Sequence, residues 1–146
     1  MTQLEVFVSE SVSQTEEIGQ AFAKELKSGD FVAMYGDLGA GKTAFVRGMA
    51  RILAPEAFVQ SPTYTIVNEY QGNNVCLCHC DMYRIESEDD LESIGFYDYT
   101  DSIIVAEWAE NIPFALPNAY YRVEILKSSE DKRQITIQKI QENLSC

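Results

Sequence analysis

The stretch FVAMYGDLGAGKTAFV, residues 31–46, decides the fold of this 146-residue chain. Its first five residues, FVAMY, form an unbroken apolar run of strand length, which is typical of a strand covered on both faces. The next eight, GDLGAGKT, fit the pattern G-x-x-x-x-G-K-[ST] without deviation. A helix then runs up to Pro55 with one apolar stripe, formed by Phe45, Val46, Met49, Ile52 and Leu53. Strand, glycine-rich loop and helix in this order predict a phosphate-binding loop.

The loop residues have separate expected tasks. Lys42 is expected to neutralise terminal phosphates, and the Thr43 hydroxyl to bind Mg²⁺. Backbone N–H groups at the start of the helix are expected to point at phosphate oxygens, namely those of Gly39, Ala40, Gly41, Lys42, Thr43 and Ala44. With Gly36, Asp37 and Leu38, these residues make up the predicted nucleotide-binding loop. The glycine order does not fit the dinucleotide pattern G-x-G-x-x-G.

Hydrolysis or transfer of a phosphoryl group also requires an acidic residue near the phosphates. Two predicted strands end in one: IIVAE at Glu107 and VCLCHCD at Asp81. A single carboxylate at a strand end is usually only solvated. Two such ends in a chain with a phosphate loop predict at least one functional acid, and the sequence leaves their roles interchangeable.

The second of these strands lies in VCLCHCDMYR, residues 75–84, which holds three of the four cysteines and the single histidine. Strand alternation places Cys76, Cys78 and Cys80 on one face and His79 with Asp81 on the other. Zinc ligands instead come in pairs whose sulfurs converge across a tight turn. We therefore expect no zinc and interpret the cysteines as packing residues. Whether His79 orients Asp81 or only packs stays open.

The rest of the chain predicts one mixed α/β domain over residues 1–146. Further strands are expected at 4–8, 64–70, 102–106, 119–125 and 134–138. Helices are expected at 13–26, with Ser13 and Glu16 as a capping box, and at 87–94, ended by Gly95.

Charge and composition narrow the function classes. With 11 Lys and Arg against 23 Asp and Glu, the formal net charge is −12, which disfavours extensive direct binding of nucleic acid. No apolar run is long enough for a bilayer span, and the first residues do not resemble an export signal. We therefore expect a cytoplasmic protein without a membrane partner, whose cysteines are thiols.

Four motifs together resemble the TsaE family, also called YjeE: GDLGAGKT at 36–43, SPTYT at 61–65, HCDMYR at 79–84 and EWAE at 107–110. The resemblance covers nearly the whole chain. It implies a P-loop NTPase-like three-layer fold with a mixed parallel and antiparallel central sheet flanked by helices. It also implies a Mg²⁺-dependent ATPase, slow on its own, that supports TsaB and TsaD in forming threonylcarbamoyladenosine in tRNA. The tRNA would be bound mainly by those partners.

Carried over by position, the resemblance makes Lys42, Asp81 and Glu107 the catalytic residues. Thr43 and Glu107 would bind Mg²⁺, and Asp81 would act on it through water. Thr15, Trp108 and Arg133 would contact the rest of the nucleotide. For Trp108, a core tryptophan at a strand end is an equal alternative. Thr63 and Thr65 are candidates for a loop that meets the terminal phosphate, and an ordinary salt bridge is the expected role of Arg84.

Two other functions compete with this reading. A small-molecule P-loop kinase requires a lid and clustered arginines, and neither is evident in the sequence. A nucleotide-dependent scaffold with little turnover is the second alternative. Nothing in the sequence selects ATP over GTP.

Overall fold

The computed structural model describes residues 2–37, 39–63 and 65–141, with side chains from Leu4 onward. Predictions that fall on Leu38 and Tyr64 therefore lie outside the described residues. Seven strands are present in this part: β1 (Thr2–Ser9), β2 (Phe31–Tyr35), β3 (Val67–Gln71), β4 (Cys76–Asp81), β5 (Ile103–Glu107), β6 (Ala119–Lys127) and β7 (Arg133–Gln141). The helices are α1 (Val12–Ala23), α2 (Lys42–Leu53) and α3 (Glu88–Ser93), with short 3₁₀ turns at Phe96–Tyr99, Ala109–Asn111 and Pro113–Ala115. None of the described helices has the length and apolarity needed to cross a membrane.

The strands form one sheet in the order β1-β7-β6-β2-β5-β4-β3. The four central strands β6, β2, β5 and β4 are parallel, whereas β7, β1 and β3 pair antiparallel with their neighbours. Parallel strands bring their carboxyl ends to the same edge of the sheet. The mixed sheet predicted from the sequence is confirmed, and its central strands all point towards the edge at which the phosphate loop begins.

Helices cover the sheet on both faces, because side chains on β2 alternate between two cores. Val32 and Met34 pack in the core under α1 and α2. Phe31 and Ala33 pack in the core under α3 and the 3₁₀ turns. This arrangement is the three-layer α/β fold, and it explains why the strand is apolar at every position.

Helices α1 and α2 approach each other unusually closely through two glycines. A Cβ atom at Gly48 would lie 1.9 Å from the backbone oxygen of Glu16, and one at Gly19 would lie 2.2 Å from the oxygen of Phe45. No side chain fits at either position without moving a backbone. The close contact fixes α2, which carries the phosphate loop at its N-terminus, against α1.

The predicted start of the first helix is wrong. Ser11, not Ser13, is the N-cap, and its side chain accepts a hydrogen bond from Gln14 N at 3.0 Å. Glu16 does not reach back to the cap, because its carboxylate accepts from Arg47 Nη1 at 2.7 Å and from Arg51 Nη2 at 3.0 Å on α2. The helix also ends at Ala23, earlier than position 26. The cap is instead formed by Ser11 with Gln14, whose Oε1 accepts from Glu10 N at 2.7 Å.

Other boundaries follow the sequence more closely. The predicted hairpins are confirmed, although β3 begins at Val67 because Ile66 has a positive φ of 70° that breaks the extended chain. Ser87 caps α3 by accepting from Asp90 N, and Gly95 follows with a φ of 74°, as predicted. Ile52 is the exception on α2, since it is exposed rather than part of the buried stripe.

Replacing Gly48 with alanine is expected to destabilise the protein, because the new methyl group overlaps the backbone of α1. Overpacking of this kind costs about 1–3 kcal/mol and outweighs the better helix propensity of alanine. Urea unfolding of Gly48→Ala would measure the loss. The control Glu17→Ala, at an exposed position of α1, should stay within about 0.5 kcal/mol of the parent protein. Equal stability of Gly48→Ala would contradict the close helix contact.

The Glu16 ion pairs are expected to make part of the stability depend on pH. Hydrogen bonds from Arg47, and more weakly from Arg51, hold the pKa of Glu16 below its ordinary value of 4.5. A lowered pKa stabilises the fold above that value, and the contribution disappears as the pH falls through the folded-state pKa. Glu16→Gln should therefore lose about 1–3 kcal/mol near neutral pH. Its difference from the parent protein in urea unfolding should shrink below pH 4.5, and a pH-independent difference would contradict this assignment.

Candidate nucleotide site

The phosphate loop turns at glycines that no other residue could replace. Gly36 has a φ of 142°, and a Cβ atom there would lie 2.5 Å from the backbone oxygen of Ile125 on β6. Gly41 has a φ of 106° and immediately precedes α2. Both conformations are strained for residues with a side chain. The loop thus leaves β2 pressed against β6 and enters the helix through a left-handed residue.

The N-terminus of α2 is open for an anion. The first hydrogen bond of the helix joins Phe45 N to Gly41 O, so the preceding N–H groups do not take part in the helical ladder. One predicted donor is not available, because Ala40 N already donates to Asp37 O at 3.0 Å. Its contact with a phosphate stays a prediction that requires this bond to open.

Lys42 is buried at the base of the loop, with 6% of its surface exposed. Its Nζ donates to Gly36 O at 2.5 Å and lies 3.8 Å from Glu107 Oε1. It also lies 5.1 Å from the centre of the Trp108 ring. The ammonium group is therefore held inside the loop by a carbonyl, a carboxylate and an aromatic face.

The two predicted acids meet as neighbours. Asp81 and Glu107 pair in register at the ends of the parallel strands β4 and β5, and they are only 8% and 5% exposed. Glu107 Oε2 lies 2.5 Å from His79 Nε2, while Asp81 Oδ1 accepts from Tyr83 N at 2.9 Å. His79 therefore contacts Glu107, which the sequence did not indicate, because the contact runs diagonally between two strands.

Asp81 opens into a cleft of about 430 Å³ next to the loop. Two lining residues, Ile66 and Trp108, have positive φ angles of 70° and 57°. Such angles are strained for these residue types and cluster at functional sites. Three further side chains complete the lining, those of Thr63, Tyr83 and Arg84.

The structure combines the two alternatives that were open for Trp108. Its side chain is half-buried and packs against the core under α3. The ring also contacts Tyr83 edge-on, with 5.0 Å between the ring centres, and faces Lys42. Trp108 therefore links the core to the phosphate loop.

Thr15 and Arg133 lie on the other side of the loop, around a smaller pocket of about 90 Å³ that Gly41 and Ala44 also line. Arg133 Nε donates to Ala40 O at 2.8 Å, and its Nη1 donates to backbone oxygens of the β6–β7 turn. Thr15 is buried and shares a hydrogen bond of 2.7 Å with Ser9. The structure thus brings both residues to the loop, with Arg133 bound to its backbone.

The structure also locates Arg84 and the two threonines, Thr63 and Thr65. The predicted salt bridge of Arg84 is wrong: within the described part of the chain, its exposed side chain forms no ion pair. Thr63 lines the cleft, whereas Thr65 Oγ1 donates to Asn68 Oδ1 at 2.6 Å on the strand that follows.

Two of the three strand cysteines pack in the core as predicted, whereas Cys76 is only partly buried. Cys78 and Cys80 lie in the core under α3, with 3.5 Å between their sulfur atoms. Hydrogen bonding to Cys78, together with burial, raises the pKa of the Cys80 thiol well above its usual range. His79 points to the opposite face and cannot join the sulfurs at one metal ion.

The oxygen groups of the site suit Mg²⁺. Glu107, Asp81 and the hydroxyl of Thr43, at the second position of α2, are hard ligands at the same edge of the sheet. The described residues contain no cluster of three or more His, Cys, Asp or Glu that would hold a metal alone. Magnesium sites in nucleotide-binding proteins commonly use one or two carboxylates and complete the shell with phosphates and water. The residues present therefore fit Mg²⁺ bound together with a nucleotide.

Comparison with known proteins agrees with this geometry. Residues 9–135 match the family described as threonylcarbamoyl adenosine biosynthesis protein TsaE. The tRNA threonylcarbamoyladenosine biosynthesis protein TsaE of Bacillus subtilis is 37% identical over 84% of this chain and 78% of its own length. The protein of the same name from Aquifex aeolicus is 36% identical over 94% of this chain and 98% of its own length.

A solved structure extends the likeness to the fold. The crystal structure of YdiB from Bacillus subtilis superposes with a TM-score of 0.79 at 30% sequence identity, over 96% of this chain and 88% of that one. The chain therefore belongs to the TsaE family, in tRNA threonylcarbamoyladenosine biosynthesis.

Proposed function

We propose that this protein binds ATP with Mg²⁺ and hydrolyses it in support of a TsaB and TsaD complex, which transfers the threonylcarbamoyl group to adenosine in tRNA. The observation that carries the proposal is the position of Lys42. A buried lysine with its ammonium at a loop carbonyl, 3.8 Å from Glu107, is costly unless it serves an anionic ligand. Family membership indicates the pathway, and the residues of this site support the proposed hydrolysis of ATP.

Binding of the phosphates would require only a short movement. Lys42 Nζ would exchange its bond to Gly36 O for a phosphate oxygen, close to its present position. The N–H groups of Gly41, Lys42, Thr43 and Ala44 would bind other phosphate oxygens, with the positive end of the α2 dipole adding to the attraction. Mg²⁺, when bound, would neutralise part of the phosphate charge.

The contacts of Glu107 and Asp81 favour different roles for the two carboxylates, whereas the sequence left their roles interchangeable. Glu107 lies beside Lys42 and is assigned to the metal with Thr43. Asp81 lines the open cleft instead, with one oxygen bound by Tyr83 N and the other free of that bond. Asp81 is therefore assigned to the water that attacks the terminal phosphate. The cleft gives that water a route from solvent.

The remainder of the nucleotide would lie on the opposite side of the loop. The pocket lined by Thr15, Gly41, Ala44 and Arg133 adjoins the helix N-terminus that binds the phosphates. Its present volume of about 90 Å³ is too small for a base and ribose, so the β6–β7 turn that Arg133 holds would have to move outward. We assign ATP to this site on the strength of the family resemblance.

The surface supports a protein partner better than tRNA. The formal net charge of −12 opposes extensive contact with RNA phosphates. Two aromatic side chains are strongly exposed. Tyr83, which lines the cleft, is 62% exposed, and Phe58, in the segment between α2 and β3, is 82% exposed. Aromatic residues are enriched at protein interfaces. TsaB and TsaD would cover the open cleft and complete the site, so turnover by the protein alone would be slow.

Lys42→Ala should lower phosphate release from ATP by about a hundredfold or more, because a charge aimed at the transferring phosphoryl group is lost. The assay uses Mg²⁺ and ATP with no phosphoryl acceptor, so a small-molecule kinase would be nearly silent. Lys24→Ala, at an exposed position beyond α1, is the matched control and should keep the parent rate. Unchanged turnover in Lys42→Ala would remove the phosphate-loop mechanism.

Association with TsaB and TsaD should depend on the nucleotide, because the partner-facing cleft borders the phosphate site. Tagged protein would be incubated with the two purified partners, with and without ATP and Mg²⁺, and the captured protein quantified. We expect capture with ATP, faster phosphate release in the complex, and loss of the ATP effect in Lys42→Ala. Absence of capture in both conditions would contradict the proposed partners and leave the ATPase activity untouched.

A further inference from the structure

His79 is a fully buried imidazole whose two nitrogens have different surroundings. It lies at the centre of β4 with no exposed surface. Its Nε2 is 2.5 Å from Glu107 Oε2. Its Nδ1 has no hydrogen-bond partner within the described part of the chain.

Packing alone does not account for a histidine at this position. Leu77, two residues earlier on the same face of β4, is an ordinary member of the core under α1 and α2. A buried polar atom without a partner costs about 1–3 kcal/mol, which a leucine at position 79 would avoid. The unpartnered Nδ1 is thus a cost that the contact of Nε2 with Glu107 has to offset.

The surroundings also define which nitrogen carries hydrogen. Glu107 Oε2 is a carboxylate oxygen and accepts, so Nε2 must donate. The contact therefore places a hydrogen on Nε2.

The contact changes what Glu107 can do. A carboxylate free to turn beside a buried ammonium would close to a charge-assisted bond of about 2.7–2.9 Å. Lys42 Nζ and Glu107 Oε1 instead remain 3.8 Å apart, since Lys42 donates to Gly36 O and the other oxygen of Glu107 is held by His79. These two hydrogen bonds, one on each partner, leave Glu107 and Lys42 without a tight ion pair.

We propose that His79 is a positioning residue that donates from Nε2 to Glu107, holding this carboxylate off Lys42 and presenting Oε1 to the metal–nucleotide complex. The inference rests on the proposed function, since it concerns the same site. His79 itself touches neither the nucleotide nor the metal. Partners that orient a metal-binding side chain typically contribute about 10–100-fold to metal affinity or activity.

The first test uses the free protein. His79 is the single histidine of the chain, so a long-range ¹H–¹⁵N correlation spectrum reports its ring nitrogens without assignment. Hydrogen on Nε2 is the expected result. A spectrum in which Nε2 carries no hydrogen would overturn the proposal, because the imidazole could not donate to Glu107.

The second test compares His79→Gln, whose amide nitrogen can still donate, with His79→Leu, which cannot. Nucleotide binding would be followed by the fluorescence of Trp108, the single tryptophan, at increasing Mg²⁺ concentration. His79→Leu should raise the Mg²⁺ concentration for half-maximal binding about 10–100-fold, and His79→Gln should recover most of the loss. Binding of nucleotide in the presence of EDTA should stay the same in both variants.

Cys78→Ala is the matched control, since Cys78 is equally buried on the same strand but faces the opposite core. It should keep the Mg²⁺ dependence of the parent protein. Parent-like Mg²⁺ dependence in His79→Leu, or equal losses in the Leu and Gln variants, would overturn the proposal alone. A parent protein without any Mg²⁺ dependence would instead overturn the proposed function, and this inference with it.

Discussion

The parallel register between β2, β5 and β4 is the constraint on which the site depends. It pairs Met34 with Glu107 and Glu107 with Asp81, so the ends of three strands are in line. The phosphate loop begins two residues beyond Met34, and Lys42 returns from the loop to the same edge. No contact between loop and acids would survive a shift of one residue, because each side chain would turn to the opposite face of the sheet.

Because of that register, three ionisable side chains are buried at the same edge of the sheet. Lys42, Glu107 and Asp81 are each less than a tenth exposed, although water would solvate them far better. The single ammonium balances only part of the negative charge, in a chain that is already strongly acidic. A bound metal ion would offset the charge of the two acids, and N–H groups at the start of α2 would offset that of the phosphates. The site thus has less positive than negative charge among its side chains, which supports the proposal that it binds a metal–nucleotide complex.

Local patterns made most of the fold predictable. The loop, its strand and its helix follow from a motif with steric reasons at each glycine, and the faces of β4 follow from alternation along one strand. The contact of His79 with Glu107 could not be predicted, because it runs between strands separated in sequence and depends on the register. At the start of α1, Ser11 with Gln14 and Ser13 with Glu16 both fit the spacing of a cap; Ser11 and Gln14 form it, while Glu16 is held by two arginines of α2.

The three cysteines and the histidine look like one cluster in the sequence. In the structure they lie on opposite faces of β4, which packs against the core on one face and carries the polar side chains of the site on the other. The central strands of the sheet are buried on both faces, so β4 needs small apolar residues opposite its polar ones. Cys78 and Cys80 fill the core under α3. His79 and Asp81 occupy the other face, where each has a hydrogen bond that fixes its direction. The strand can therefore keep two polar side chains near the phosphate loop without opening the core behind them.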